Sequence, residues 1–282
     1  MDNERVRPKD IFRAQYSTTG PMADFFAEFE QLKKDYDGIK IPERLPIAVT
    51  KQSDCQELFD ISLNAWVENF DRVKISGAID RLRDPEISEK ERRSIMKYFM
   101  EVRRIGIIIR NSWADFNTDH GDAPKVHRKF MSAIGRVRDG IRFTQEPAVI
   151  SAALSELQAT LREYPDPRQI FKLKPATPAS FSRAFSARVK ILENLLSNKT
   201  TAKELHQVRI KGMRPIFSLY LLLSLRSRDQ AAIDTYLAIR YIDKDLGKKN
   251  DRVVKEEINE NDQQQASDES KQIARELVAK LY

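Results

Sequence analysis

Helical segments follow one another along almost the whole chain, and convincing alternation of apolar and polar residues, the mark of a strand, is absent. Thr177 and Pro178 stand where an N-cap and an N1 proline belong. Three further segments begin with a capping box, in which a Ser or Thr precedes a Glu or Gln by three residues: Ser53/Gln56, Ser88/Glu91 and Thr201/Glu204. The chain has only 9 glycines, which disfavours an all-β fold. We therefore predict an all-α protein.

The predicted helices group into four regions of the chain. An N-terminal helical arm occupies 1–50, a first helical half 51–165, a second half 166–262, and a linker with a short C-terminal helix 263–282. Within these regions, apolar periodicity predicts helices over 25–36, 53–73, 88–113, 125–143, 146–164, 178–196, from 201 onward, over 228–246 and over 270–282.

Length and composition indicate a globular protein with a real core. Apolar residues make up 41% and charged residues 32% of the 282 residues, which argues against disorder. The single cysteine, Cys55, cannot close an intramolecular disulfide or build a thiolate metal cage. No secretory signal is visible, and the longest apolar run, 215–225, is about half of the roughly 20 residues that a membrane span requires. We expect a buried core helix there, and a cytoplasmic protein that does not bind membranes.

Positive charge is concentrated in two stretches. Residues 168–214 contain eleven Lys/Arg and two acids, a surplus that exceeds the net charge of +7 of the whole chain. Residues 98–143 contain nine basic residues and five acids. Because clustered positive charge raises the local concentration of anions, this segregation indicates a polyanion partner. Chance clustering on a generally basic surface is the alternative.

The helix that begins at Thr201 carries much of this charge on one face. At about 100° per residue, its basic side chains fall within one arc of roughly 140°: Lys199, Lys203, His206, Arg209 and Arg214. Pro215 cannot donate to the carbonyl of Lys211, so we expect a kink or break there, with polar backbone near the basic cluster.

A weak internal repeat relates the two halves. Each half has an arginine-bearing apolar helix, followed by an apolar residue, Gly, two residues, Arg or Asn, and Asp: Gly135, Arg138 and Asp139, and Gly247, Asn250 and Asp251. Two matches in the same order favour duplicated helical halves. In the first half Arg103 and Arg110 share a helix face, and Asp139 can pair with Arg136 or Arg142 three residues away.

At these residues the sequence resembles the CHAD family, all-helical domains associated with inorganic polyphosphate. The family's pattern is a helix with His, Arg three residues on and further basic residues, then a Leu-Gly-x-x-(Arg/His/Asn)-Asp turn, once in each half. The resemblance covers roughly 55–255, and in the first half Met100 stands in the place of the histidine. The matching residues are Arg103, Arg110, His206, Arg209, Arg214, Gly247, Asn250 and Asp251.

The resemblance implies two pseudo-symmetric antiparallel helical bundles that enclose a basic channel. It further implies a non-catalytic protein that binds inorganic polyphosphate or another phosphate-rich polyanion, with polyphosphate granules as an option for its location. Arginine suits phosphate because its planar fork donates two parallel hydrogen bonds. The candidate polyanion-binding residues are Arg103, Arg104, Arg110, Arg136, Arg138, Arg142, Lys203, His206, Arg209, Lys211, Arg214 and Lys248.

Two other kinds of binding protein stay open. A helical nucleic-acid-binding module would also place Lys and Arg on phosphates, but such modules usually add Asn, Gln or exposed aromatic side chains, and the basic face offers few. A scaffold that docks on an acidic protein is the third class. The oligomeric state is not predicted.

Catalytic, cofactor and metal sites are not expected. The chain lacks GxxxxGK and GxGxxG loops, and no Ser/His/Asp or paired-carboxylate arrangement stands out. A polar stretch does group potential metal ligands, but in no recognised spacing, so we expect a solvated loop: Asp119, His120, Asp122 and His127. Phe181, Phe185 and Phe217 are expected to pack in the core.

Overall fold

The structure is a computed structural model that describes residues 16–32, 41–43, 45, 49–193, 200–255, 263–264 and 268–281. These residues are helical almost throughout, as predicted. The α-helices are α1 (Pro21–Leu32), α2 (Gln52–Asn69), α3 (Arg72–Arg83), α4 (Glu89–Phe116), α5 (Lys125–Asp139), α6 (Pro147–Glu163), α7 (Pro167–Ile170), α8 (Pro178–Glu193), α9 (Ala202–Val208), α10 (Arg214–Ser227), α11 (Gln230–Lys255) and α12 (Asp268–Leu281). Gly140–Thr144 and Arg209–Met213 are π-helical turns.

Capping residues start two helices where the sequence predicts them. At α9, Thr201 Oγ1 accepts from Glu204 N at 3.2 Å, and the Glu204 carboxylate accepts from Thr201 N at 2.7 Å. This complete capping box satisfies backbone donors at the start of the helix. Thr177 Oγ1 accepts from Ser180 N at 3.2 Å, and α8 begins at Pro178.

The predicted capping box at Ser53 is wrong. Helix α2 begins at Gln52, so Ser53 already lies inside it. Asp54 accepts instead from the backbone N–H groups of Thr50 and Lys51, at 2.8 and 3.0 Å. Asp54 Oδ2 thus accepts from two backbone donors just before the helix.

The next two helix starts differ in part from the prediction. Ser88 Oγ accepts from Glu91 N at 3.2 Å, but the Glu91 carboxylate binds Arg81 on α3, at 2.7 and 2.8 Å. The predicted helix over 53–73 is divided into α2 and α3. Asp71 caps α3 by accepting from Lys74 N at 2.9 Å.

The described residues form two compact units. The first unit contains those within 1–27, 63–110 and 122–172, and the second contains those within 28–62, 111–121 and 173–282. Each unit therefore combines segments that are distant in the sequence.

Aromatic side chains and one histidine fill the core of the first unit. The ring centroid of Trp66 lies 5.1 Å from that of His127 and 6.2 Å from that of Phe130. Trp66 Nε1 donates to the Tyr164 hydroxyl at 3.1 Å, Tyr164 donates to His127 Nδ1 at 2.7 Å, and His127 Nε2 donates to the carbonyl of Gly106 at 2.8 Å. Because a carbonyl only accepts, this chain fixes one neutral tautomer of the histidine.

The second unit contains the apolar run over 215–225. It lies in α10, which packs against α11, and Leu219 and Leu222 are buried as predicted. The rings of Phe181 and Phe185 stack 5.9 Å apart, and the ring of Phe217 lies 4.6 Å from that of Tyr236. Phe181 is buried as predicted, whereas Phe185 and Phe217 are half-buried.

Two features complete the fold. Thr200–Thr201 pair in antiparallel register with Gln263–Gln264, a two-residue contact that the sequence did not predict. Within the described ranges, every helix is too short or too polar to cross a membrane.

Candidate anion-binding site

The basic helix of the second unit changes its hydrogen-bond pattern near Pro215 but does not break there. Helix α9 continues into a π-helical turn that begins at Arg209, and α10 follows directly from Arg214. Pro215 has no N–H to offer the carbonyl of Lys211. Arg188 Nη1 on α8 lies 3.4 Å from that carbonyl and donates to it. The proline thus removes the usual α-helical donor to a backbone carbonyl in the basic region, and an arginine serves as its partner.

Arg188 also contacts a buried carboxylate. Its Nη2 lies 3.3 Å from Asp115 Oδ1. Burial raises the pKa of Asp115 to about 6, and the positive charges of Arg188 and His120 oppose this increase. Arg188 therefore connects the buried carboxylate to the π-helical turn.

Asp243 on α11 joins two of the predicted arginines. Its Oδ1 accepts from Arg209 Nε at 2.7 Å, and its Oδ2 accepts from Arg209 Nη2 at 3.4 Å. Arg214 Nε lies 3.8 Å from Oδ1. The side chains of Arg209 and Arg214 are 17% and 21% exposed, so both still meet solvent.

Gly247, one turn along α11, lies against the same guanidinium group. A Cβ atom at this position would be 2.8 Å from Arg209 Nη2 and 3.1 Å from Arg209 Cζ. The predicted turn over 246–251 is wrong, because these residues continue α11. The glycine serves close approach of the arginine rather than chain reversal.

In the first unit, Gly135 likewise lies beside an arginine, Arg103, but the distance is larger. A Cβ atom at Gly135 would lie 3.5 Å from Arg103 Nε, an ordinary van der Waals distance. The predicted turn at 134–139 is also wrong, since α5 continues through it. Neither motif glycine has positive φ. In each unit, the glycine of the repeated motif therefore faces the arginine of the preceding basic helix.

Three other predicted arginines of the first half lie in separate environments. Arg104 covers the ring of Phe26, with its Cζ 3.3 Å from the ring centroid. Arg142 lies 5.0 Å from the ring centroid of Phe143. Burial lowers the pKa of Arg110. Arg104 and Arg142 thus use their planar guanidinium faces as packing surfaces.

Asp139 makes neither of the ion pairs expected from its spacing. It accepts from its neighbour Arg138, whose Nε lies 2.6 Å from Oδ1. Arg136 instead binds Glu156 on α6 through Nε, at 2.6 Å, and through Nη2. A facing carboxylate satisfies both donors of the fork, which explains why the pair across helices forms in preference to the local one. Arg136 and Arg138 are therefore already engaged by different acids.

Four exposed cations on α8, α9 and the π-helical turn form no ion pair within the described residues. Two lie on α8, one on α9 and one in the π-helical turn: Arg183, Lys190, Lys203 and Lys211. Lys203 and Lys211 belong to the predicted site, whereas the two residues of α8 were not assigned to it. This group is the uncompensated charge of these three elements.

The remaining predicted positions are described only in part. His206 is half-buried on α9. Lys248 lies on α11, but its side chain is outside the described residues, as are the side chains of Asn250 and Asp251. Met100, in the place of the first-half histidine, is 39% exposed.

The polar loop of the first sequence half does not assemble a metal site. Among the described residues, no group of three or more His, Cys, Asp or Glu side chains could hold a metal ion. His120 Nδ1 lies 3.1 Å from the carbonyl of Ala114, and its Nε2 lies 2.7 Å from Ser180 Oγ. Burial lowers the pKa of His127 to about 4, and its hydrogen bonds keep it in the core.

Comparison with known proteins assigns no family to the chain. No family model, curated protein or solved structure matches it. Function is therefore argued from the residues of this chain alone.

The sequence did not point to Arg188 or Asp243. Arg188 lies within the most basic segment of the chain, and Asp243 stands four residues before Gly247, on the same face of one helix. These two patterns are the signals that could have found them. Their partners belong to other helices, so spacing alone does not reveal them.

Proposed function

We propose that the protein binds inorganic polyphosphate, or another phosphate-rich polyanion, through Lys and Arg side chains and without catalysing a reaction. The observation that carries the proposal is the uncompensated charge of α8, α9 and the π-helical turn, four exposed cations with no ion pair among the described residues. Self-repulsion of such charge destabilises a folded surface, and a bound polyanion would relieve it. Arg209 and Arg214, which share one carboxylate, add two guanidinium forks suited to phosphate.

The proposal includes the architecture and location that the CHAD resemblance implies. The chain would consist of two related helical halves that enclose a basic channel, in the cytoplasm or with polyphosphate granules. The glycine and arginine pairs support the duplication, since Gly135 approaches Arg103 in one unit and Gly247 approaches Arg209 in the other. The arginines of the first half would contribute to the same polyanion site.

Neutralising two of the uncompensated cations tests the proposal. In the double variant Lys203→Gln/Lys211→Gln, affinity for long-chain polyphosphate at low salt should fall by about tenfold or more, with a shallower salt dependence, because fewer counterions are released. The matched control is Lys90→Gln/Lys97→Gln on α4, which removes the same charge from exposed residues that form no ion pair within the described chain. Binding should be unchanged in the control. An equal loss of polyphosphate affinity in both double variants would contradict a defined binding site. It would indicate that affinity depends only on the net charge of the protein.

A further inference from the structure

Asp243 and Gly247 contact different parts of the Arg209 guanidinium group. The Asp243 carboxylate occupies the edge formed by Nε and Nη2, with Nε 2.7 Å from Oδ1 and Nη2 3.4 Å from Oδ2. Gly247 lies beside Nη2 and Cζ, so closely that a Cβ atom would overlap them. Arg209 Nη1 makes no hydrogen bond within the described residues. The edge formed by Nη1 and Nη2 is therefore left available.

We infer that Asp243 and Gly247 are positioning residues, which hold Arg209 so that its Nη1/Nη2 edge receives a phosphoryl group of the polyanion. The inference rests on the proposed function, because it assigns roles within the same site. That edge donates two parallel hydrogen bonds to two oxygens of one phosphoryl group. Arginine loses much rotamer freedom when a ligand fixes it, and a side chain that is already fixed avoids that loss on binding.

Positioning and simple charge balance predict opposite effects at Asp243. If the carboxylate merely cancels positive charge, its removal would strengthen the binding of an anion. If it holds Arg209 in place, its removal would weaken binding, although the site becomes more positive. The sign of the change therefore separates the two roles.

Gly247→Ala moves Arg209 without altering any charge. The new methyl group would lie 2.8 Å from Nη2, and the guanidinium, the mobile end of a long side chain, has to leave Asp243. The better helix propensity of Ala offsets the loss of the ion pair between Arg209 and Asp243, so the melting temperature should change little. We expect affinity for long-chain polyphosphate to fall by about tenfold, the size of one lost charge-assisted hydrogen bond.

Gly135→Ala is the matched control for that substitution. It places the same methyl group in a helix of the first unit, at an ordinary 3.5 Å from Arg103 Nε. Arg103 need not move, so affinity should stay at the wild-type value. Equal affinity of Gly247→Ala and wild type would overturn the positioning role of Gly247.

Asp243→Asn tests the sign. Affinity for long-chain polyphosphate should fall by roughly three- to tenfold, because the charge-assisted hydrogen bond from Arg209 to phosphate is weakened. Asp245→Asn removes the same charge two residues away, where the carboxylate accepts from Ser270 Oγ at 2.9 Å, and should not weaken binding. Stronger binding by Asp243→Asn would overturn the positioning role of this carboxylate.

A ligand-free measurement separates the failure of this inference from the failure of the proposed function. In nitrogen-15 NMR spectra of the protein without polyphosphate, the Arg209 Nε–H proton should exchange slowly with solvent, because it is hydrogen-bonded to Asp243. The signal is identified by its absence from the spectrum of Arg209→Lys. In Gly247→Ala this proton should exchange rapidly or its signal should disappear, and an unchanged exchange rate would overturn the inference. If the wild-type protein binds no polyphosphate, the proposed function is overturned. The role of Arg209 in binding a phosphoryl group is then overturned too, whatever the NMR result.

Discussion

Arg188 Nη1 donates to the carbonyl oxygen of Lys211 across 3.4 Å, from α8 to the π-helical turn. The same guanidinium group lies 3.3 Å from the buried carboxylate of Asp115. Pro215 has no N–H for this carbonyl, so its usual α-helical donor is missing. Arg188 thus stabilises the π-helical turn and provides a counter-charge to a buried acid with one side chain.

Arg188→Gln should destabilise the protein. The substitution leaves Asp115 buried without its counter-charge and removes the donor to Lys211, so we expect the free energy of unfolding to fall by about 2–3 kcal/mol. Chemical denaturation measures this change. Arg183→Gln, on the exposed side of the same helix, is the control and should change stability by less than about 0.5 kcal/mol. Similar losses in both variants would contradict the bridging role of Arg188.

Two glycines of the first unit should respond to Ala in opposite directions. At Gly106 a Cβ atom would lie 2.4 Å from Met131 Sδ and 2.9 Å from Trp66 Cζ3, so overpacking should cost about 1–3 kcal/mol of stability. At Gly77 nothing lies within 4 Å of the added atom. Gly77→Ala should therefore stabilise α3 by about 0.5–1 kcal/mol, through helix propensity alone. Thermal unfolding of the two variants checks both signs, and destabilisation by Gly77→Ala would be the contrary result.

The buried His127 should make stability depend on pH. Its pKa is about 4 in the folded protein and about 6.5 in an unfolded chain. Between these values only the unfolded state binds the proton, so the free energy of unfolding falls as pH decreases, by about 2 kcal/mol between pH 7 and pH 5. Asp115 works in the opposite direction, because its raised pKa favours the protonated folded state below about pH 6.

His127→Gln isolates the histidine contribution, since both proteins retain Asp115. The variant should be less stable than wild type at pH 7, because it disrupts the hydrogen bonds to Tyr164 and Gly106. The difference in free energy of unfolding should shrink by about 2 kcal/mol at pH 5. Denaturation at both pH values measures it, and a difference that does not depend on pH would show that the histidine does not titrate as described.

Arg209→Ala and Arg103→Ala test the two halves together. Each should weaken polyphosphate binding by about 1.5–3 kcal/mol, and the two losses should add unless one phosphate spans both arginines. The sequence alone predicts little change in stability for Arg209→Ala. Because Arg209 is paired with Asp243, we now expect a loss of about 1 kcal/mol. Lys172→Ala and Lys174→Ala are controls with smaller effects on calorimetric affinity, and normal binding by folded Arg209→Ala would remove this residue from the site.

The elements that the sequence predicted well depend on contacts between near neighbours. The capping box at Thr201 and the missing α-helical donor at Pro215 arise within a few residues, so composition and spacing suffice to predict them. The start of α2 was predicted wrongly because the helix begins before Ser53, where Asp54 accepts from the backbone N–H groups of Thr50 and Lys51.

The site was predicted less completely because its geometry depends on contacts between helices. The sequence identified Arg209 and Arg214 but not Asp243, which makes their ion pairs in the structure. The motif glycine was interpreted as a turn residue, because close approach of an arginine to a helix leaves no signature in spacing. Asp139 likewise accepts from Arg138, because Arg136 binds Glu156 on another helix.

Calorimetric titration of the intact protein with a series of anions tests the central claim most directly. Long-chain polyphosphate, tripolyphosphate, single-stranded RNA and duplex DNA would be compared at several matched salt concentrations. The account predicts that long-chain polyphosphate binds most tightly, that its affinity falls steeply and linearly in logarithmic salt concentration, and that tripolyphosphate binds far more weakly. Tripolyphosphate binding as tightly as the long chain would contradict the account in favour of a small phosphate-ester site, and tighter binding of RNA or DNA would identify a nucleic-acid-binding module instead.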